Sequence, residues 1–256
     1  MDTRRRRLES VVLPVLAGGV FLVLWHYAVT WTGTKVFPSP LAVVKGLGEL
    51  QRRGVLYPYI RDSMFRVSAG YLLALVLGVP FGLFLGLSPK AAAIFHPLIQ
   101  VLRPISPLAW IPISIVLFGI GNEATVFLVV LASFFPIVLA SSNAVQSVPV
   151  IYMRHGQNIG LSRAAIIRRL LLPAALPQIL VGLRVALGIA WLVVVAAEMI
   201  AVDSGLGYLV IDSRNAGKRY DLVVCAMLLI GGIGLVLDIL MRRVERLRSV
   251  RWGFRS

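Results

Sequence analysis

The sequence predicts an all-α membrane protein of about six transmembrane helices, and three observations carry that prediction. Of its 256 residues 58% are hydrophobic and only 14% charged, with a mean hydropathy of +0.86. A soluble domain of this length needs far more polar surface than that. The apolar residues fall in separate runs of about 20, the length a helix needs to cross a bilayer. The basic residues fall mainly at the ends of those runs: Lys and Arg number 26 against 11 Asp and Glu, for a net charge of +15. A basic excess arranged in this way fits positive-inside topology and contact with anionic lipid headgroups rather than nucleic-acid binding.

The first span covers residues 11–31. It follows a basic N-terminus, MDTRRRRLES, but the run is too long for a signal peptide's apolar region, so it reads as a retained span. The second covers 64–87, the third 98–120, the fourth 124–143, the fifth 175–202 and the sixth 222–241. The fourth contains no charged residue. Pro104, Pro107 and Pro112 interrupt the third, so it is bent or starts late. Gly78, Gly82 and Gly86 recur every four residues in the second span, as do Gly182, Ala186 and Ala190 in the fifth. That spacing lets helix backbones approach closely in lipid, where packing drives association.

Arg4 to Arg7 place the N-terminus in the cytoplasm. Six spans return the C-terminus there, in agreement with Arg242, Arg243, Arg246, Arg248, Arg251 and Arg255. The loop 32–62 then falls outside despite Lys35, Lys45, Arg52, Arg53 and Arg61. Within it Pro38-Ser39-Pro40 reads as a rigid turn and 41–53 as a short helix at the outer surface. The last external segment, 203–220, is polar; 206–211 reads as a short surface helix or a re-entrant turn. The division is an N-terminal part, 1–62, a core, 63–245, with a cytoplasmic loop at 144–175, and a basic tail, 246–256.

That loop contains the most polar interior stretch, RHGQNIGLSRAAIIRRLLLPAALP at 154–177. Gly160, Leu161 and Ser162 read as a helix stop followed by a new N-cap. This gives one short helix over 149–159, a sharp turn, and a second helix over 162–172, with Pro173 and Pro177 marking the return into the membrane.

Several chemistries find no support. There is no GxxxxGK[ST] phosphate loop, no GxSxG and no HExxH. Cys225 is a lone cysteine, and His26, His96 and His155 lie far apart. Ionisable residues within spans are functional candidates by default. Arg103 and Arg184 lie near predicted cytoplasmic ends and Glu198 near the outer end of span five, with Asp203 and Asp238 also near ends, where snorkelling supplies a structural reading. Glu198 is the best candidate acid, because 193–197 before it are wholly apolar.

A resemblance becomes specific at 160–200, GLSRAAIIRRLLLPAALPQILVGLRVALGIAWLVVVAAEMI. It is similar to the cytoplasmic-loop signature of bacterial ABC-importer permeases, a glycine followed some residues later by Leu-Pro. FPSPLAVV at 37–44, RPISPLAWIPI at 103–113, LFGIGNEA at 117–124, AWLVVVAAEMI at 190–200 and GLGYLV at 205–210 narrow the resemblance to the nitrate/sulfonate/taurine permease family, over nearly the whole chain. It implies the type I ABC importer permease fold in the bacterial plasma (inner) membrane, and a transmembrane subunit paired with a second copy. Two separate ATPase subunits would bind ATP and Mg, this chain holding no cofactor, and an extracytoplasmic binding protein would deliver the solute.

The helix around 150–160 would be the coupling helix seated in the ATPase, with Arg154, His155, Gly156, Ile159, Gly160, Leu161, Ser162 and Pro173 as the coupling residues and Arg103, Arg184 and Glu198 as pathway candidates. The family usually begins this loop Glu-Ala-Ala; here the corresponding positions are Arg154, His155 and Gly156. A glycine there weakens the helix by about 1 kcal/mol relative to alanine. The family takes nitrate, sulfonates, taurine and related small, often anionic, compounds. The alternative is a self-sufficient secondary transporter or channel, which needs a charge-lined pathway or inverted repeats; the first three spans do not visibly repeat in the last three.

Overall fold

The computed structural model describes residues 2–33, 37–215 and 217–245. Lys35 and the tail 246–256, with Arg246, Arg248, Arg251 and Arg255, lie outside the described residues. The elements are α1 (Asp2–Thr32), α2 (Pro40–Arg52), α3 (Leu56–Leu87), α4 (Pro89–Leu102), α5 (Ile111–Phe118), α6 (Asn122–Gln146), α7 (Val150–Asn158), α8 (Arg163–Ile166), α9 (Leu172–Ala201), α10 (Leu206–Asn215) and α11 (Tyr220–Glu245). Among the described residues the secondary structure is all helical.

Six spans were expected. Among the described residues four helices are long and apolar enough to cross a membrane: Leu56–Leu87, Asn122–Gln146, Arg163–Ala201 and Tyr220–Glu245. Pro89–Leu102 and Pro107–Phe118, which meet at 80°, are long and apolar enough for a span only when taken together as one bent pair. The prolines therefore bend this segment rather than delay its start. Pro104 lies in the break and Pro107 opens a 3-10 turn, Pro107–Trp110, where a missing N–H costs no helical bond. Helix α1 runs through the whole of the expected first span, 11–31, and Val15–Trp31 is an apolar stretch within it. The boundary drawn after residue 62 falls inside α3.

Two helices begin on the same Ser-Pro device. Ser39 and Ser88 are N-caps whose hydroxyls accept from Ala42 N and Ala91 N, each at 3.3 Å. Pro40 and Pro89 follow at the first helical position, pre-set for helical φ.

Helix α6 forms the centre, with α3 and α9 packed on it. The glycine ladder of α3 lies against α6. A Cβ at Gly78 would come 2.9 Å from Ile137 Cγ2, one at Gly82 would collide with the Val138 carbonyl oxygen, and one at Gly86 would meet Val145 Cβ at 2.7 Å. The ladder continues one turn or more upstream, because Gly70 meets Val129 in the same way. On the other side a Cβ at Gly182 would collide with that of Ala140, and Ala186 and Ala190 are fully buried. Both small-residue stripes are thus helix–helix seams within the chain.

Tyr71 Oη donates to the Leu183 carbonyl at 2.9 Å, joining α3 to α9, and Trp191 Nε1 donates to Ile230 O at 3.0 Å, joining α9 to α11. These bonds satisfy polar groups in a setting without water.

The bundle has two distinct ends. Gly86 beside Val145 sets the end from which α7 emerges. Gly121 N donates to Ala201 O at 3.2 Å at the opposite end, where α10 follows α9. Segment 206–211 belongs to a helix that runs on to Asn215, not to a re-entrant turn. Near α10, Arg219 ties α2 to the start of α11, reaching Glu49 at 3.2 and 2.5 Å and Asp221 at 3.0 and 2.8 Å. Arg53 pairs with Glu49 as well. The Glu49 carboxyl is held below its usual range, chiefly by the hydrogen bond from Arg219.

Candidate functional sites

At one end of the bundle the loop after α6 is built in steps. Ser147 Oγ lies 2.9 Å from Ala144 O and 2.5 Å from Gln178 Oε1, pinning the chain's exit from α6 to α9. Helix α7 follows and stops at Gly160, whose φ of +76° is costly for a residue with a side chain. Leu161 N donates to Gly156 O and Gly160 N to Gln157 O, both at 3.0 Å. This is the paired closure of a Schellman C-cap. Ser162 then caps α8, accepting from Ala165 N at 3.3 Å. The expected helix–turn–helix is present.

The expected return at Pro173 and Pro177 is not. The chain is one continuous helix from Arg163 to Ala201, with a π turn at Ile167–Leu171 just before Pro173. A wider turn takes up a proline whose ring would otherwise press on the carbonyl four residues back. Pro173 therefore marks a change of helical pitch, and Pro177 sits inside α9.

Gly156 is buried, and a Cβ there would lie 2.9 Å from both Ile166 Cγ1 and Leu170 Cδ1. Its lack of a side chain lets α7 rest directly on α8 and the π turn. Met153 packs on the main core beside it. The other face of α7 is open: Ile151 and Ile159 are 66% and 60% exposed, and Arg154 and His155 are exposed with them. Arg154, Arg163, Arg168 and Arg169 have no carboxylate partner among the described residues. The result is a cationic helix with apolar side chains turned outward at the end of the bundle.

At the other end lies a buried polar cluster. Glu198 is fully buried on α9 and Arg66 of α3 is 3% exposed. Arg66 donates through Nη1 to Glu198 Oε1 at 2.8 Å and to Ser204 O at 2.7 Å, through Nε to Asn122 Oδ1 at 2.7 Å, and through Nη2 to Ser204 Oγ at 2.6 Å. Glu198 Oε2 accepts from Ser63 Oγ at 2.8 Å and from Gly207 N at 3.0 Å, while Ser63 Oγ accepts from Leu206 N at 2.9 Å. A Cβ at Gly205 would lie 2.5 Å from the carboxylate carbon, so glycine is what lets the turn close over it. The cluster joins α3, α6, α9 and α10, with the positive end of α10 on the carboxylate.

Sequence reasoning selected Glu198 and missed Arg66. The signal was available: Arg66 is an arginine inside the expected second span. Arg184 is also paired, 3.3 Å from Glu245 and 3.9 Å from Asp238 of α11.

Arg103 differs from both. It lies on a cavity of about 510 Å³ between α4, the Pro107–Trp110 turn, α6 and α9. Leu131, Phe135, Leu139 and Ile189 make much of its wall, and Asn143 and Trp110 add polar atoms. Neither Glu198 nor Arg184 lines it. Among the described residues, no three His, Cys, Asp or Glu side chains gather as metal ligands.

The chain matches the family model of the "Binding-protein-dependent transport system inner membrane component" over residues 78–250. It is 36% identical to the taurine transport system permease protein TauC of Escherichia coli, over 95% of this chain and 90% of that one. To the nitrate import permease protein NrtB of Synechococcus elongatus it is 34% identical, over 95% and 91%. Among solved structures, an inward-facing form of the MetNI methionine ABC transporter superposes with a TM-score of 0.67 at 18% identity, over 77% of this chain and 97% of that one. An importer of the acidic polysaccharide alginate superposes at 0.58 and 14%, over 94% and 96%. A family match over well more than half of the chain, full-length relatives above 30% identity and the shared fold agree: this chain belongs to the family of binding-protein-dependent transport system inner membrane components.

Proposed function

We propose that this chain is the permease subunit of an ATP-driven importer of a small anion, a sulfonate, taurine, nitrate or a similar solute. It pairs with a second copy in the bacterial plasma (inner) membrane. Two ATPase subunits, which hold ATP and Mg, sit at the α7 end. A binding protein delivers solute at the α2 and α10 end, so both termini face the cytoplasm. The core is 63–245 with its coupling loop at 144–175, flanked by 1–62 and the basic tail 246–256.

The observation that carries this reading is α7: a short helix between two packed spans, its inner face resting on α8 and its outer face unoccupied. In this role Gly156 sets the contact with α8. Gly160, Leu161 and Ser162 fix the angle between α7 and α8, and Arg154, His155 and Ile159 meet the ATPase. Pro173, after the π turn, lies where motion of the loop enters α9. Of the pathway candidates Arg103 is the one on a cavity; Arg184 and Glu198 are braces. Names of relatives that carry taurine and nitrate support a small anionic solute.

The test is an Arg154→Glu substitution in the complex purified with its own ATPase. Recovery of ATPase on the permease is expected to fall about tenfold or more, the loss of a charge-assisted contact plus a like-charge repulsion. Full recovery, with hydrolysis still stimulated by loaded binding protein, rules the coupling role out.

A further inference from the structure

We infer that a small cavity at the α2 and α10 end, with Asp212 on its wall, is a docking socket for a lysine or arginine side chain of the extracytoplasmic binding protein. This rests on the importer reading above and adds to it a contact residue and the charge of the partner's surface.

The cavity, of about 300 Å³, lies where α2, α3, α10 and the start of α11 meet, and Arg53, Tyr59, Asp212, Ser213 and Arg219 supply its polar lining. The volume is at the low end of the range for small-molecule sites and suits one long side chain. It is open on one side, as docking requires. Its two guanidiniums are already paired: Arg53 and Arg219 share Glu49, and Arg219 also holds Asp221. The Asp212 carboxylate has no hydrogen-bond or ion-pair partner among the described residues. Ser213 is 5% exposed, and its hydroxyl makes no hydrogen bond with any described residue either. A carboxylate and a buried hydroxyl with open lone pairs take a donor that carries positive charge. An acidic side chain would meet Asp212 as a like charge, which is disfavoured across an interface.

The socket faces water rather than lipid. Val44 and Leu47 of α2 are exposed and line a separate apolar groove with Leu228 and Leu229 of α11, a surface suited to acyl chains. Arg53 follows Val44 by about two and a half helical turns and so lies on the opposite flank of α2. Arg214 and Lys218 are exposed nearby, where their repulsion of an incoming cation is screened. The walls are also fixed in advance. The Tyr59 ring packs edge-on against Tyr208 at 6.1 Å, and Arg219 ties α2 to α11. Helix α10 is held at its first turn by Leu206 N on Ser63 and Gly207 N on Glu198. A preorganised site loses little freedom on binding. Since α10 is only about 15 Å long, a partner gripping Asp212 bears directly on the helix that closes over the Glu198–Arg66 pair.

The experiment uses the permease–ATPase complex in nanodiscs, with the binding protein whose addition stimulates its ATP hydrolysis. The affinity of that binding protein for the complex is titrated by fluorescence at low and high salt. Asp212→Asn is expected to weaken binding about tenfold to a hundredfold and to flatten its salt dependence. Asp212→Lys weakens it further, and Ser213→Ala weakens it by about threefold to tenfold. One lysine or arginine of the binding protein, replaced by glutamate, is expected to lose affinity for the wild-type complex and to regain at least about tenfold of it on Asp212→Lys. This reciprocal rescue carries the test, because a misfolded variant cannot give a gain of binding. Binding by Asp212→Lys as tight as wild type, or a loss that no substitution of a basic residue on the binding protein rescues, overturns the socket and leaves the importer. A wild-type complex whose hydrolysis no binding protein stimulates removes the importer reading, and the socket with it.

Discussion

Removing the Glu198 carboxylate should destabilise the bundle more than its single ion pair suggests, because each of the three groups that donate to it, on Arg66, Ser63 and Gly207, is buried. In Glu198→Ala, Arg66 keeps its charge at 3% exposure and loses the one carboxylate it meets among the described residues. Gly207 N and Ser63 Oγ lose their acceptor as well. Breaking a buried pair from one side costs about 3–5 kcal/mol, and each stranded donor adds about 1 kcal/mol or more. Glu198→Gln is not a benign replacement. Both carboxylate oxygens accept, one from Arg66 and the other from Ser63 and Gly207. An amide has a single oxygen, so its NH₂ must face a donor on one side. The order of stability expected is wild type, then Glu198→Gln, then Glu198→Ala.

The assay is unfolding of the purified permease in detergent, read by loss of monodisperse protein on heating. The pair and the two donors together lose about 5–7 kcal/mol, and for a chain of this size about 2–4 °C accompanies each kcal/mol, so Glu198→Ala should melt lower by roughly 10–28 °C. Arg66→Met should cost a similar amount, and the double variant much less than the sum, since removing both charges leaves neither buried alone. Additive single effects, or losses under about 2 °C, refute the network as a mutually dependent unit.

Other consequences follow from the same geometry. Gly82→Leu places a side chain on the Val138 carbonyl and within 2.7 Å of Ser141 Cβ; overpacking of about 1–3 kcal/mol or more should cut the yield of folded protein, while Gly18→Leu, with nothing within 4 Å, should leave it unchanged. Gly156→Ala gains about 1 kcal/mol of helix propensity against a 2.9 Å approach to Ile166 Cγ1 and to the end of Leu170, so the two offset and stability should hardly move; Gly156→Val, bulkier and β-branched, should raise proteolysis of the loop at Arg154. The Glu49 carboxyl is depressed by Arg219. Its stabilisation is therefore fully present above the ordinary carboxylate pKa of about 4.3 and is lost as pH falls through that range. Hydrogen exchange in α2, corrected for intrinsic rate, should accelerate below about pH 4, and Glu49→Gln should remove that pH dependence.

How much of this was legible in the sequence depends on whether a signal was local. The apolar runs gave the long helices, the Pro38-Ser39-Pro40 turn gave the start of α2, and Gly160 with Ser162 gave the α7–α8 corner, because capping and turn chemistry act within a few residues. The prolines of the third span gave a bend but not its 80°, which is set by what each half packs against. Pro173 misled: a proline's local preference is to end a helix, yet the helix runs on through a π turn. Gly156 read as a weak point in α7, and its use became visible only once Ile166 and Leu170 were beside it.

The deepest gap concerns facing. In a soluble protein the polar stripe of a helix tells which side is out, but lipid is as apolar as a protein core, so periodicity in these spans is silent. Small residues and ionisable residues are the two signals that remain. The small ones located the α3–α6 and α6–α9 seams. The ionisable ones required knowing that Arg66 and Glu198, 132 positions apart, point at each other while Arg103 points at nothing of its own. An arginine that the fold has paired and one that it has not look alike in a sequence, and only the bonds each makes in the structure separate them.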